Sequence, residues 1–125
     1  MSLEVKVNER SKSIFKVAIQ GSIDSENCPK LEAEMDSLLA QSPEVVIIDL
    51  EGVTYITSMG LSLMVKTEKN IKDKGKTLLV INIPPQIQKV FDVIAALPSM
   101  RIFKNIEEAD AYLIQLQKKE IDKNK

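Results

Sequence analysis

This chain of 125 residues carries 17 basic and 18 acidic side chains, and a net charge of −1 gives no electrostatic reason to expect nucleic acid or an anionic membrane as partner. With 3 Phe, 2 Tyr and no Trp it lacks the stacking platforms of single-strand binders; with no histidine it lacks the usual base of a catalytic triad and the imidazole of common metal sites. One cysteine cannot close an internal disulfide, no apolar run nears the ~20 residues that span a bilayer, and the N-terminus has no apolar signal core, so a soluble cytoplasmic domain is expected.

Leu3 to Val7 and Ile14 to Gln20 read as strands joined across a polar hairpin segment, Asn8 to Ser13, with Val5, Val7, Val17 and Ile19 turned inward. Gly21-Ser22-Ile23-Asp24-Ser25 reads as a loop, in which Asp24 or Ser25 caps a helix from about Glu26 to Gln41. Pro29 is tolerated in its first turn, and Leu31, Met35, Leu38 and Leu39 form its buried stripe. After Ser42-Pro43, the run Val45 to Leu50, rich in β-branched residues, reads as a strand buried on both faces. A short turn then delivers Thr57 and Ser58 to a helix from about Ser58 to Lys74, with Leu61, Met64, Val65 and Ile71 facing inward. Gly75 suits its left-handed C-terminal residue, and Lys72 and Lys74 suit the negative end of its dipole.

Thr77 to Ile81 is a further strand, and Pro84-Pro85 opens a helix to about Ile94 with Ile87, Val90, Phe91 and Ile94 on one face. Ile102-Phe103 reads as a short edge strand, and Ile106 to Lys118 as a final helix carrying Ala109, Tyr112, Leu113 and Leu116. The order ββαβαβαβα predicts an α/β domain over residues 1–117, a mixed sheet of four to five strands with about four helices, followed by a charged flexible tail over 118–125.

Chemistry concentrates at Ser58. A hydroxyl at a helix N-terminus lies where free N–H groups and the helix dipole favour negative charge. Without histidine it has no ordinary base, and Gly21, Gly52, Gly60 and Gly75 stand singly, outside any phosphate-binding loop, so neither an enzyme, a metal nor a cofactor is expected. Two readings stand at this point: Ser58 or Thr57 simply caps the helix, worth ~1 kcal/mol, or Ser58 accepts a charged group. Asp24 either lines the same pocket or caps the first helix. Met59 and Leu63, four apart and off the core stripe, form a docking ridge, or one of them packs under a neighbouring loop. Cys28 suits a small filler; Lys66, Lys69, Lys72, Lys74 and Lys76 suit a solvated face or contact with an acidic partner. Asp49 at a strand end is a weak echo of a response-regulator acceptor, but Gln20-Gly21 stands where that site needs paired acids.

The segment Val46-Ile47-Ile48-Asp49-Leu50-Glu51-Gly52-Val53-Thr54-Tyr55-Ile56, followed by Thr57-Ser58-Met59-Gly60-Leu61, resembles the anti-sigma factor antagonist family, whose fold is the STAS domain. That family has an apolar strand ending in Asp-Leu, a Gly-Val turn and an Asp-Ser-Ser/Thr-Gly-Leu motif. Gly21-Ser22-Ile23-Asp24 is similar to its Gly-x-Leu/Ile-Asp loop, and Pro85 to Phe103 to its closing helix and strand. The resemblance covers about Leu3 to Leu116. It implies partner switching: an antagonist binds an anti-sigma factor that is also a serine kinase, a sigma factor is released, the kinase phosphorylates the antagonist and a phosphatase reverses this. By position the phosphoacceptor is Ser58. Asp24, Thr57, Ser58, Met59, Gly60 and Leu63 are expected to face the partner, and a monomer or weak dimer is expected. Thr57 stands where the motif has Asp, which removes a fixed negative charge beside the acceptor, and Met59 stands where it has Ser or Thr. The alternative is a scaffold or signalling-complex subunit that uses the same surface without phosphorylation.

Overall fold

The run Val45-Val46-Ile47-Ile48 has no polar side to turn to water, so it must be covered on both faces, and the molecule is arranged around it. A computed structural model describes residues 2–93 and 101–123. They form β1 (Leu3–Ser11), β2 (Ile14–Ile23), α1 (Cys28–Leu39), β3 (Val45–Ile56), α2 (Ser58–Asp73), β4 (Thr77–Ile81), α3 (Pro85–Val93), β5 (Arg101–Phe103) and α4 (Ile106–Lys123). The expected order ββαβαβαβα is the observed one. The five strands lie in the order β1-β2-β3-β4-β5, with β1 antiparallel to β2 and the other pairs parallel.

Three crossovers stepping the same way along a sheet place their helices on one side of it. One core accordingly joins Val46, Ile48, Leu50 and Val80 of the sheet to Leu31 of α1, Leu61 of α2 and Phe91 of α3. The alternate residues Val45, Ile47, Leu79 and Ile81 face the other way and meet Ala109 and Leu113 of α4. Period-two alternation along β3 thus serves two cores at once. Arg10 of β1 donates to both carboxylate oxygens of Asp110 on α4, at 2.6 and 3.2 Å. As an exposed pair it adds little to stability. Among the described residues, no helix is long and apolar enough to cross a membrane.

Several boundaries differ from expectation. Asn8 to Ser11, read as part of the hairpin loop, pair with β2, and the turn shrinks to Lys12-Ser13. An edge strand tolerates such polar side chains because its outer side meets water. Gly21 to Ile23, read as loop, continue β2, and α1 begins at Cys28 rather than Glu26 because a separate turn built on Asp24 comes first. Glu51 to Ile56, read as a turn, continue β3. That extension pairs with β2 alone, since pairing with β4 ends at Asp49↔Ile81. Irregularities between Ala18 and Gln20 and between Gly21 and Ser22 let the long strand bend without losing its partner. Asp49 therefore lies in mid-strand, not at a strand end.

Helix α4 runs on to Lys123 because nothing after Leu116 is a helix stop, so the expected tail begins inside it. Residues 124–125 and Ile94 lie outside the described residues. Helix α2 closes as expected: Gly75 is left-handed (φ +73°), its N–H donates to the Lys72 carbonyl at 2.9 Å, and the Lys76 N–H donates to the Ile71 carbonyl at 3.0 Å.

Candidate functional site

The last parallel pair of β2 and β3 is Ile23↔Ile56, so Asp24 and Thr57 leave the sheet side by side at the carboxyl ends of the strands. Thr57 is extended (φ −92°, ψ 170°) and is the N-cap of α2. Its Oγ1 accepts from the Gly60 N–H at 3.2 Å and donates to the Ile23 carbonyl at 3.3 Å, and its own N–H donates to that carbonyl at 3.0 Å. One hydroxyl thus satisfies a helix N–H and pins the helix to β2. A carboxylate at this position would serve the first purpose but not the second.

Capping by Thr57 leaves Ser58 free. It is the first helical residue, its side chain is exposed, and its hydroxyl has no hydrogen-bond partner among the described residues. The first turn of α2 contains no acidic residue, so no side chain of the helix itself opposes added negative charge there. Gly60 is buried beneath, because a Cβ there would stand 2.6 Å from a methyl carbon of Ile23 and 2.7 Å from its carbonyl oxygen. Its role in the free protein is close approach: no side chain fits between the head of α2 and the end of β2.

Asp24 organises the neighbouring turn. Its Oδ1 accepts from the Asn27 N–H at 2.9 Å, its Oδ2 accepts from the Ser22 hydroxyl at 2.9 Å, and its backbone carbonyl accepts from the Cys28 N–H at 2.9 Å. The Asn27 N–H first and then the Ser22 hydroxyl hold its carboxyl below the usual carboxylate range. The carboxylate caps the turn that precedes α1, and the turn stands directly beside Thr57. Ser22 has no role in the sequence reading beyond its place in that loop. It is fully buried, and its hydroxyl fixes the Asp24 carboxylate from below; the only signal was its place in Gly-Ser-Ile-Asp.

Met59 and Leu63 divide the expected ridge between them. Met59 is 55% exposed, but Leu63 is 8% exposed and belongs to the core, because α1 packs over that side of α2. The result is a groove of about 510 Å³ between the two helices, with Leu63 in its floor and Met59 on its rim. Cys28, the first residue of α1, is buried at its head, where burial first, then Asp24 and Glu32, push its thiol up. That is the setting of an inert packing cysteine. Lys66, Lys69, Lys72 and Lys74 are exposed, while Lys76 bonds Glu44.

Asp49 lies on the opposite side of the sheet, where its carboxylate accepts from the Glu51 N–H at 3.0 Å and the Asn82 side-chain amide at 3.2 Å, with Lys16 at 3.4 Å. Those partners give it a structural role, and no cluster of three or more metal-ligating side chains occurs among the described residues.

The family described as STAS domain matches residues 5–109 of this chain. An anti-sigma-B factor antagonist of Staphylococcus aureus (strain NCTC 8325 / PS 47) is 24% identical over 107 residues, 86% of this chain and 98% of that protein. Among solved structures, an anti-sigma factor antagonist from Mycobacterium paratuberculosis superposes with a TM-score of 0.81 at 22% identity, covering 89% of this chain and 93% of the other. The Bacillus cell fate determinant SpoIIAA in its phosphorylated form superposes with a TM-score of 0.67 at 16% identity, covering 87% and 99%. At such identities the superpositions establish the fold.

Proposed function

This chain belongs to the STAS domain family, and from that premise we propose that it is an anti-sigma factor antagonist whose docking is controlled by phosphorylation of Ser58. It binds an anti-sigma factor of the serine-kinase type and thereby releases a sigma factor. The kinase then transfers the γ-phosphoryl group of ATP to the Ser58 oxygen, which gives up its proton, and a phosphatase hydrolyses the ester to restore binding. The observation that carries this reading is the free, exposed hydroxyl of Ser58 at the head of α2, beside a separate residue, Thr57, that supplies the side-chain cap.

The physics requires no change of fold. A phosphoserine adds about −1.5 to −2 charges at pH 7, and the head of α2 accommodates them through free N–H groups and the helix dipole. A partner seated over the site must instead desolvate the phosphate or meet it with a cation it does not already place there. Losing one good buried contact in this way costs about 2–5 kcal/mol, on the order of 30- to several-thousand-fold in affinity. Incubation with a serine-kinase anti-sigma factor and ATP, followed by mass spectrometry of the digest, is expected to place one phosphate on Ser58. A digest with Ser58 unmodified contradicts the reading.

A second reading draws on Thr57. With no acidic residue in the first turn of α2, a kinase has no fixed charge to recognise there, and the surface then serves as a constitutive docking face in a signalling complex. It predicts equal partner affinity for Ser58→Ala and Ser58→Asp.

A further inference from the structure

The groove between α1 and α2 is built from two helical faces that run side by side. Ala33 and Asp36 line the α1 wall, and Met59, Ser62 and Lys66, at helical spacing, line the α2 wall. We propose that this groove seats an amphipathic helix of the partner, one with an apolar stripe along the groove and a cation set against Asp36. The inference rests on the antagonist reading and says where on the partner-facing surface the affinity comes from.

The shape fits a helix. From Cys28 at the head to Asp36 the α1 wall advances eight residues, about 12 Å or two turns. Ala33 and Ser62 are small, so an incoming backbone can approach, and Leu63 gives an apolar floor. At the head, Met59 is exposed, long and unbranched, the kind of side chain that moulds itself to an apolar helix face.

Charge selects the occupant. The walls carry two carboxylates, Glu32 and Asp36, against one ammonium, Lys66. Lys66 reaches Glu32 across the groove at 3.8 Å, and Asp36 has no ion-pair partner among the described residues. The surplus is therefore negative and sits two turns along from the head of α2, away from Ser58. A cation on the occupant compensates Asp36 there, while its apolar end closes over Met59 beside Ser58. A phosphate on Ser58 thus meets the apolar end of the occupant rather than its cation, which is the arrangement in which phosphorylation expels it.

The test is titration calorimetry of a serine-kinase anti-sigma factor against the full chain and the variants Ala33→Arg, Asp36→Lys, Ser58→Asp and, on the far side of the sheet, Ile114→Ala. Ala33, Asp36 and Ile114 are exposed, and thermal melting checks that each variant folds. The expected result is a loss of about tenfold or more for Ala33→Arg and Asp36→Lys, a flatter salt dependence for Asp36→Lys, and no change for Ile114→Ala. Full affinity in both groove variants with loss in Ser58→Asp overturns the groove and leaves the antagonist reading standing. No binding by the unaltered chain overturns both. Sedimentation that finds a dimer dispersed by Ala33→Arg assigns the groove to a second copy and overturns it as well.

Discussion

The two halves of β3 are made to different rules. Val45 to Leu50 is buried throughout and, as far as Asp49, is paired with β2 on one side and β4 on the other. Glu51 to Ile56 is paired with β2 alone, buries only Val53 and Ile56, and leaves Tyr55 51% exposed. The first half is foundation. The second is an arm that carries Thr57 and Ser58 beyond the body of the sheet. A site mounted this way is held in place by a few backbone contacts to β2 while its outer surface stays free for another protein. Alterations in the two halves should therefore fail differently, the first by unfolding and the second by changing recognition.

The largest expected effect is in the foundation. Ile48 is almost wholly buried, and Ile48→Ala should lower stability by about 2–5 kcal/mol, read from urea unfolding. At the join between arm and helix, Gly60→Ala forces a methyl against the Ile23 carbonyl and should cost about 1–3 kcal/mol by the same measurement. A Gly60→Ala chain as stable as the original would mean that the head of α2 is not pinned to β2. Thr57→Ala removes the cap and the bond to Ile23, and about 1–2 kcal/mol is expected.

Asp24 gives the smallest effect and one tied to pH. Its carboxyl is held below the usual range by the Asn27 N–H and the Ser22 hydroxyl, so the folded state favours the ionised form. Its contribution is present above the unfolded carboxylate pKa of about 3.9 and is lost as pH falls through the lower folded value. The stability difference between the original chain and Asp24→Asn should stay level from neutral pH to about pH 5 and shrink below about pH 4. A difference that grows on acidification has the wrong sign for this account.

The sequence made the foundation legible and the arm much less so. Val45 to Leu50 reads as a strand because four consecutive β-branched residues, Val45 to Ile48, follow the break at Ser42-Pro43 in a run too short for an ordinary helix. Glu51-Gly52 reads as a turn by composition, and only the pairing with β2, which takes up an extra β3 residue at each of two register shifts, turns it into strand; that information lies in residues about 30 positions away. Thr57 as cap and Ser58 as first helical residue lay within the range of the sequence, since a hydroxyl before an apolar-periodic segment is a local signal. That Leu63 rather than Met59 packs inward, and against α1, was out of reach. Helical periodicity gives the faces of α2, but which face meets α1 is settled by the way the crossovers stack. The groove escaped notice for the same reason, because neither wall is unusual until the two stand together.

The central claim is that the free hydroxyl on the arm is a switch that acts on docking and not on folding. Its most direct test is to measure Ser58→Asp twice, once by thermal melting and once by calorimetry against a serine-kinase anti-sigma factor. Melting is expected to be unchanged or slightly raised, since a carboxylate at the head of a helix is favourable by about 0.3–1 kcal/mol, while affinity falls by roughly 30-fold or more. Equal affinity for the two chains, with equal melting, would contradict the switch and leave Ser58 as an ordinary exposed residue at the start of a helix.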